Sequence, residues 1–314
     1  MTDKDLILRS CDGEDISNLF FRRQERMNKG DAGRVLCICG SYNGSSGMCG
    51  AAYFAAMAAY RCGAGIVEIF TARENYAALG ALVPEAVFSL YGECESSEFI
   101  GARLRESIKK ADCVIIGCGL GKSNRSRALV KAALETVSVP MVIDADALNM
   151  MAENGDLWSL MSEQQRGKTV ITPHPGEMSR LCKKSVAEIL ESTTETAEEF
   201  SRERGVVCLL KDHHTVITNG ACTFINHSGN AGMATAGSGD VLAGIIGALL
   251  ARREVADYAD RERMGNDAIL YRAAVGAYVH GLAGDAAADK NGEYSMVATD
   301  ILHEISGVIL QNKS

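Results

Sequence analysis

The sequence predicts an α/β fold: a mostly parallel sheet covered by helices on both faces, with a small antiparallel patch. Three observations predict it. Short β-branched runs alternate with longer helical patterns along the chain, as in strand–crossover–strand units. The strand runs are apolar throughout, which suits strands buried on both sides. One stretch, CLLKDHHTVITNGACTFIN, breaks the alternation and reads as successive strands turning at Asn-Gly. Hydrophobic residues make up 47% of the 314, ample for the core of one such domain. No repeat, low-complexity tract or linker divides the chain, so residues 1–314 read as a single domain in which 1–30 form a helical lead-in.

In chain order, the run RVLCIC gives a first strand over 34–39, and the small-residue pattern after it gives a helix over 48–61. A strand over 65–70 follows, then a helix over 98–109. The apolar run CVII gives a strand over 113–116, with a helix over 125–137 behind it. Strand 141–143 and helix 147–152 form the next unit, and strand 169–172 leads through two prolines into a helix over 176–181. A single long helix is expected over 186–204. Strands over 207–210, 214–218 and 222–225 form the antiparallel patch. A glycine loop opens a helix over 240–251; the charged residues 252–265 read as an exposed loop or solvated helix, and a long helix spans 267–290.

Composition removes several function classes. Lys and Arg number 32 against 40 Asp and Glu, and the basic residues are scattered. Nucleic-acid binding needs a concentrated basic face, so no nucleic-acid partner is expected. The 11 cysteines are odd in number and sit mostly in apolar runs, among them Cys37, Cys39, Cys113, Cys118 and Cys208. That pattern fits reduced thiols used as small core residues. No C-x-x-C pair occurs, and the C-x-C of Cys37 and Cys39 places both thiols on one face of its strand. The N-terminus lacks the pattern of a signal peptide. The most apolar segment, GMCGAAYFAAMAAYRCGAG, is too short for a membrane span and closes on Arg61. A cytoplasmic protein without a membrane partner is the expectation.

In open α/β sheets ligands sit beyond the carboxyl ends of the strands. The unusual residues of this chain cluster there: GSYNGSSGMCG, GCGLG, DADALN, PHPGE, KDHHT and GNAGMATAGSGD. The last is the most specific. A glycine loop feeding a helix N-terminus leaves backbone N–H groups without intrahelical partners, and these favour an anion. Gly237, Ser238 and Gly239 read as that anion hole. Asp240 falls in the first helical turn, where a carboxylate cannot bind phosphate. It is placed to take a proton from a hydroxyl that attacks the phosphate; the alternative is an ordinary N-terminal helix acid over a plain turn.

Two prolines flank His174 and fix its loop, which suits either a ligand contact or a capping histidine. Glu177 suits a helix cap or the orientation of a metal and its waters. Asp144 and Asp146 suit Mg²⁺ or hydroxyl positioning, with helix capping by Asp146 as the other reading. GCGLG lacks the spacing of a dinucleotide fingerprint, and GSYNGSSGMCGAA is no P-loop. His213 and His214, adjacent on a strand, would point to opposite faces.

Taken together, NKGDAGRVLCICGS, GAAYFAAMAAYRCGAGIVEIFT, GCGLG, VIDADALN, TPHPGEMSRL, LLKDHHTVI and GNAGMATAGSGDVLAGIIGALL resemble, in order, the bacterial NAD(P)H-hydrate dehydratases of the ribokinase-like fold. The resemblance implies a three-layer α/β/α architecture. It also implies an ADP-dependent dehydration of the S epimer of NADHX or NADPHX that releases AMP and phosphate, with Mg²⁺ present and ATP as a possible substitute for ADP. Asp240 matches the catalytic acid, and Gly237, Ser238 and Gly239 the anion hole. Lys211, Asp212, His213, His214, Thr215 and Gly239 match the adenine-nucleotide contacts. Ala51, Gly119 and His174, with Asp240, match contacts to the hydrated cofactor. Cys118 stands where the family often has Pro, and Asp212 and His213 where it usually has Gly-Ala. Asp144 and Glu177 remain the metal candidates. The resemblance implies a homo-oligomer, a tetramer. The residues before the first strand are too few for the epimerase domain often fused there, so a separate protein is expected to epimerise the hydrate. The alternatives are a small-molecule kinase of the same fold, such as a hydroxyethylthiazole or hydroxymethylpyrimidine kinase, a non-catalytic nucleotide-binding regulator, and a nicotinamide oxidoreductase, which the missing fingerprint disfavours.

Overall fold

The computed structural model describes residues 8–20, 23, 25–252 and 267–312. Ten strands form one sheet: β1 (Leu8–Arg9), β2 (Arg34–Ile38), β3 (Ile66–Ala72), β4 (Val87–Tyr91), β5 (Cys113–Ile116), β6 (Met141–Ile143), β7 (Thr169–Ile171), β8 (Val207–Leu210), β9 (Thr215–Thr218) and β10 (Thr223–Asn226). Their order across the sheet is β1-β10-β9-β8-β7-β6-β5-β2-β3-β4. Strands β2 to β8 pair in parallel, while β9 runs antiparallel to both β8 and β10. The antiparallel patch therefore lies where the Asn-Gly turn predicts it.

Thirteen helices among the described residues accompany the sheet: α1 (Gly13–Leu19), α2 (Cys49–Arg61), α3 (Tyr76–Leu82), α4 (Ser97–Ile108), α5 (Asn124–Thr136), α6 (Ala145–Glu153), α7 (Glu163–Arg166), α8 (Pro175–Cys182), α9 (Val186–Glu191), α10 (Thr193–Arg204), α11 (Ser238–Ala251), α12 (Ala268–Asn291) and α13 (Ala298–Gln311). They cover both faces. Along β2, Val35 and Cys37 enter a core shared with α2, α11, α12 and α13. Leu36 and Ile38 enter the other core, with α4, α5, α6 and α8. Two buried faces explain why the strands are apolar at every position. The result is the three-layer α/β/α arrangement, and Cys37, Cys39, Cys113, Cys118 and Cys208 are buried free thiols within it.

Several expectations change. The single helix over 186–204 is two, because Ser192 leaves helical geometry (φ −144°, ψ 53°). The Ser192 and Thr193 hydroxyls donate to the carbonyls of Glu188 and Ile189, competing with the helix ladder. The lead-in is not purely helical, since β1 adds to the edge at β10. Strand β4 escapes the sequence reading because it is a half-exposed edge whose pattern mixes Ser89 with apolar residues. Helices α3, α7 and α13 are also additional. The charged stretch 252–265 lies, apart from Arg252, outside the described residues.

Helix α11 is the buried spine of its layer, with every residue from Val241 to Ala251 inside. It can lie so close to its neighbours only because of its glycines. A Cβ on Gly244 would meet the Ala55 carbonyl oxygen of α2 at 2.3 Å, and one on Gly247 would meet Ile115 of β5 at 2.5 Å. In an exposed helix Gly→Ala stabilises by about 1 kcal/mol. Here the sign should reverse: Gly244→Ala is expected to destabilise by about 1–3 kcal/mol through overpacking, read as a lower urea midpoint with an unchanged slope.

Candidate active site

The strands whose ends carry the unusual residues are neighbours. In sheet order β8, β7, β6, β5 and β2 deliver Lys211, His174, Asp144, Cys118 and the loop before α2 to one edge. The N-terminus of α11 meets them there. Its N-cap, Gly237, has φ +94°, and a Cβ there would lie 2.6 Å from the Phe54 ring. Only glycine satisfies both constraints. Ser238 and Asp240 occupy the first turn, so the acid and the free N–H groups share one helix end.

Asp144 is the hub. It is 2% exposed and its Oδ1 accepts from the Thr172 hydroxyl (2.7 Å) and the Lys211 ammonium (3.1 Å). Its Oδ2 lies 3.8 Å from the Cys118 thiol. One ligand atom each from Cys118, Asp144 and Asp240 lies within 4.8 Å of the others. Burial first, then the Asp144 charge, raises the Asp240 pKa from 3.8 to about 7. Burial disfavours the Lys211 ammonium, but Asp144 and Glu177 outweigh it and its pKa is raised, so Lys211 stays charged. Ala145, next to Asp144, has φ +47°, a left-handed conformation costly for a residue with a Cβ. Asp146 holds that turn by accepting from the Gly121 N–H (2.7 Å), so it ties the GCGLG loop to α6 instead of capping the helix.

His174 is both cap and cavity wall. Its Nδ1 accepts from the Gly176 N–H (3.0 Å), and Glu177 accepts from the His174 N–H (3.0 Å), a reciprocal capping box. An accepting Nδ1 leaves the proton on Nε2 in the neutral ring. Burial, then Lys211 and Arg180, lowers the His174 pKa and keeps it neutral. Glu177, buried beneath it and engaged in the cap, stands outside the ligand group formed by Cys118, Asp144 and Asp240.

A cavity of about 740 Å³ opens beside this cluster, lined by His174, Lys211, Asp212, His213, Thr215 and Gly239 among others. Ala51 and Gly119 lie outside that lining and against each other; a Cβ on Gly119 would sit 2.7 Å from the Ala51 Cβ. Gly119 follows Cys118, so this pair adjoins the group formed by Cys118, Asp144 and Asp240. His214 does not line the cavity. Lys211 to His214 leave the sheet before β9 starts at Thr215, so the two histidines do not point to opposite faces: their rings lie 4.3 Å apart, and His214 packs on His227 at 4.5 Å. Sequence reasoning missed Cys118 as a neighbour of the acid, Thr172 as a partner of Asp144, and His280, which lines the cavity from α12.

Residues 35–306 match the family model described as NAD(P)H-hydrate dehydratase. The chain belongs to that family. A bifunctional NAD(P)H-hydrate repair enzyme of Moorella thermoacetica is 38% identical over 285 residues, covering 90% of this chain and 50% of the relative. The chain thus spans about half the length of the curated relatives it matches. A ribokinase-like superfamily protein of Enterococcus faecalis superposes with a TM-score of 0.80 at 26% identity, covering 98% of this chain and 96% of that one. An ADP/ATP-dependent NAD(P)H-hydrate dehydratase of Bacillus subtilis, co-crystallised with ATP and Mg²⁺, shares the fold with a TM-score of 0.75 at 23% identity, covering 96% and 98%. No helix among the described residues is long and apolar enough to cross a membrane.

The raised Asp240 pKa has a signed consequence. The folded state binds the proton more tightly than the unfolded chain, so this stabilising contribution is complete below pH 3.8 and is lost as pH rises through about 7. Asp240→Asn does not titrate. The variant should melt above wild type at about pH 8, and the gap should close as pH falls toward about 4, as read by thermal unfolding across that range.

Proposed function

We propose that the protein carries out the ADP-dependent dehydration of the S epimer of hydrated NADH or NADPH, restoring the reduced cofactor and releasing AMP and phosphate. The carrying observation is the position of Asp240: a carboxyl titrating near neutrality, in the first turn of α11, between the anion-binding loop and the Lys211–Asp144 pair. A group with its pKa near the working pH suits general-base catalysis.

In this reading the cavity at Lys211 and Gly239 takes the nucleotide, the hydrated nicotinamide rests on Ala51 and Gly119, and His174 reaches it from the wall of the nucleotide cavity. The Asp240 carboxylate removes the proton of the ring hydroxyl. That oxygen forms a bond to the terminal phosphorus of ADP while the bond from phosphorus to the AMP oxygen breaks. The N–H groups of Gly237 and Gly239 meet the charge on the transferring group, while the Ser238 N–H donates to the Thr235 carbonyl (3.3 Å). The ring nitrogen then pushes its electron pair toward the carbon as the C–O bond to phosphate breaks in place of a bond to hydroxide. The iminium so formed passes the proton of the adjacent ring carbon to the departing phosphate, which restores the ring double bond. Lys211, held by Asp144, places one fixed positive charge at the phosphates.

The donors fit a magnesium ion in part. Among the described residues Asp144 Oδ2 has no nitrogen or oxygen donor on it, and Mg²⁺ is commonly held by one or two carboxylates together with substrate phosphates. Mg²⁺ would supply charge neutralisation at the phosphates; the Cys118 thiol is not a donor it favours. The same reading carries a homo-oligomer and a cytoplasmic setting. A kinase reading would keep Asp240 and the loop but leave a stable phosphorylated product.

With chemically hydrated NADH, ADP and Mg²⁺, the absorbance of reduced nicotinamide should return in step with AMP and free phosphate. A stable phosphorylated product would mean the kinase reading instead. Asp240→Asn should cut the rate by roughly 10² to 10⁴ with ADP binding largely kept, and wild-type kcat/KM should climb with pH up to about 7 and then level off. Near-normal turnover in the variant would remove Asp240 from the base role.

Replacing ADP by ATP at equal concentration should lower the rate. A third phosphate would extend to where the acceptor hydroxyl must stand. A faster reaction with ATP, with ADP as its product, would reverse the nucleotide preference and leave the role of Asp240 intact.

A further inference from the structure

Helix α12 presents a stripe of four residues, His280, Gly281, Gly284 and Asp285, to the glycine loop. A Cβ on Gly281 would lie 2.1 Å from the Ser228 hydroxyl oxygen, and one on Gly284 would lie 2.2 Å from the Met233 sulfur, so the loop rests directly on the helix. Asp285 accepts from the Gly229 N–H (2.9 Å) and the Asn230 side-chain amide (3.0 Å). His280 completes the stripe. It is buried, it opens on the same cavity as Gly239 and Lys211, and its Nε2 lies 3.3 Å from the Ser238 hydroxyl oxygen.

We propose that His280 is a positioning residue of the anion site, whose Nε2–H donates to the Ser238 hydroxyl and so directs the hydroxyl hydrogen at a bound phosphate. A serine hydroxyl has one hydrogen to give. If Nε2 accepted it, Ser238 would offer only lone pairs to the anion. If Nε2 donates, the hydrogen is free for a phosphate oxygen, and the anion selects that tautomer. The ring must stay neutral through the cycle, since a permanent imidazolium would hold the product phosphate. Burial pushes the His280 pKa down to about 4, against a hydrogen bond to the Ser238 backbone that favours the protonated ring and with Lys211 acting in the direction of burial. The loop contacts of Gly281, Gly284 and Asp285 keep Ser238 in register with the ring.

The inference rests on the phosphate site of the proposed function, so the readout is equilibrium ADP binding by calorimetry; a failed dehydration assay leaves this test intact. His280→Gln carries a donor to the reach of Nε2, while His280→Asn stops short of Ser238. The Asn variant should bind ADP about tenfold more weakly and the Gln variant within about threefold of wild type, the size of one hydrogen bond. In a Ser238→Ala background the Asn substitution should cost nothing further. Equal effects of Asn and Gln, no effect of Asn, or a full effect persisting without the Ser238 hydroxyl would each overturn the proposal. A measurement on wild type guards against variants that fail to fold: the ¹⁵N resonances of the His280 ring should report a protonated Nε2 once ADP is bound. A ring protonated only on Nδ1 in the complex would also overturn it.

Discussion

Two carboxylates and one ammonium share a desolvated corner of this protein, and their mutual energetics shape the site around them. Asp144 is committed to Lys211 and Thr172. Asp240, with a carboxylate oxygen within 4.8 Å of Asp144, is buried and also feels the Asp144 charge; together these outweigh the opposing pull of Cys118 and Lys211, so it holds its proton to near neutrality. Like charges in a low-dielectric pocket cannot both ionise freely. The arrangement turns an ordinary carboxylic acid into a group able to exchange a proton at working pH, while its neighbour remains a fixed anchor for the lysine.

Keeping those groups together requires backbone to approach backbone without side chains between. Gly237 permits the left-handed cap that opens α11, and Gly117 accommodates the Asp144 carbonyl, which a Cβ would meet at 1.9 Å. Gly244 and Gly247 bring α11 down onto α2 and β5. Gly281 and Gly284 do the same for the loop on α12. The glycines of the fold therefore set distances in the site, and the site's precision is inherited from helix packing in the layer behind it.

The bifunctional histidine loop illustrates how one residue serves structure and site together. His174 caps α8 through Nδ1, and that cap leaves the proton of the neutral ring on Nε2, which lies 3.6 Å from Glu177 Oε1. Glu177, which had two readings in sequence, is taken up by the reciprocal half of the same cap. One Glu177 oxygen is bonded to the His174 N–H, and Glu177 lies outside the group formed by Cys118, Asp144 and Asp240.

By itself the sequence determined the α/β alternation, because two buried faces force every strand residue to be apolar, and the antiparallel patch, because Asn-Gly turns a chain tightly back on itself. It also marked the strand ends and the glycine–acid seam at Asp240, since local chemistry there departs from what a core needs. The edge strand β4 and the break at Ser192 were not legible: an edge carries no strict pattern, and the serine and threonine hydroxyls act only against carbonyls already placed. Strand order was decided by the tertiary structure alone. It seats β8, β7, β6, β5 and β2 side by side, and so gathers Lys211, His174, Asp144 and Cys118 from segments far apart in the chain. The raised pKa of Asp240 and the meeting of His280 with Ser238 follow from that gathering, because desolvation and charge coupling depend on distance in space and leave no trace in spacing along the chain.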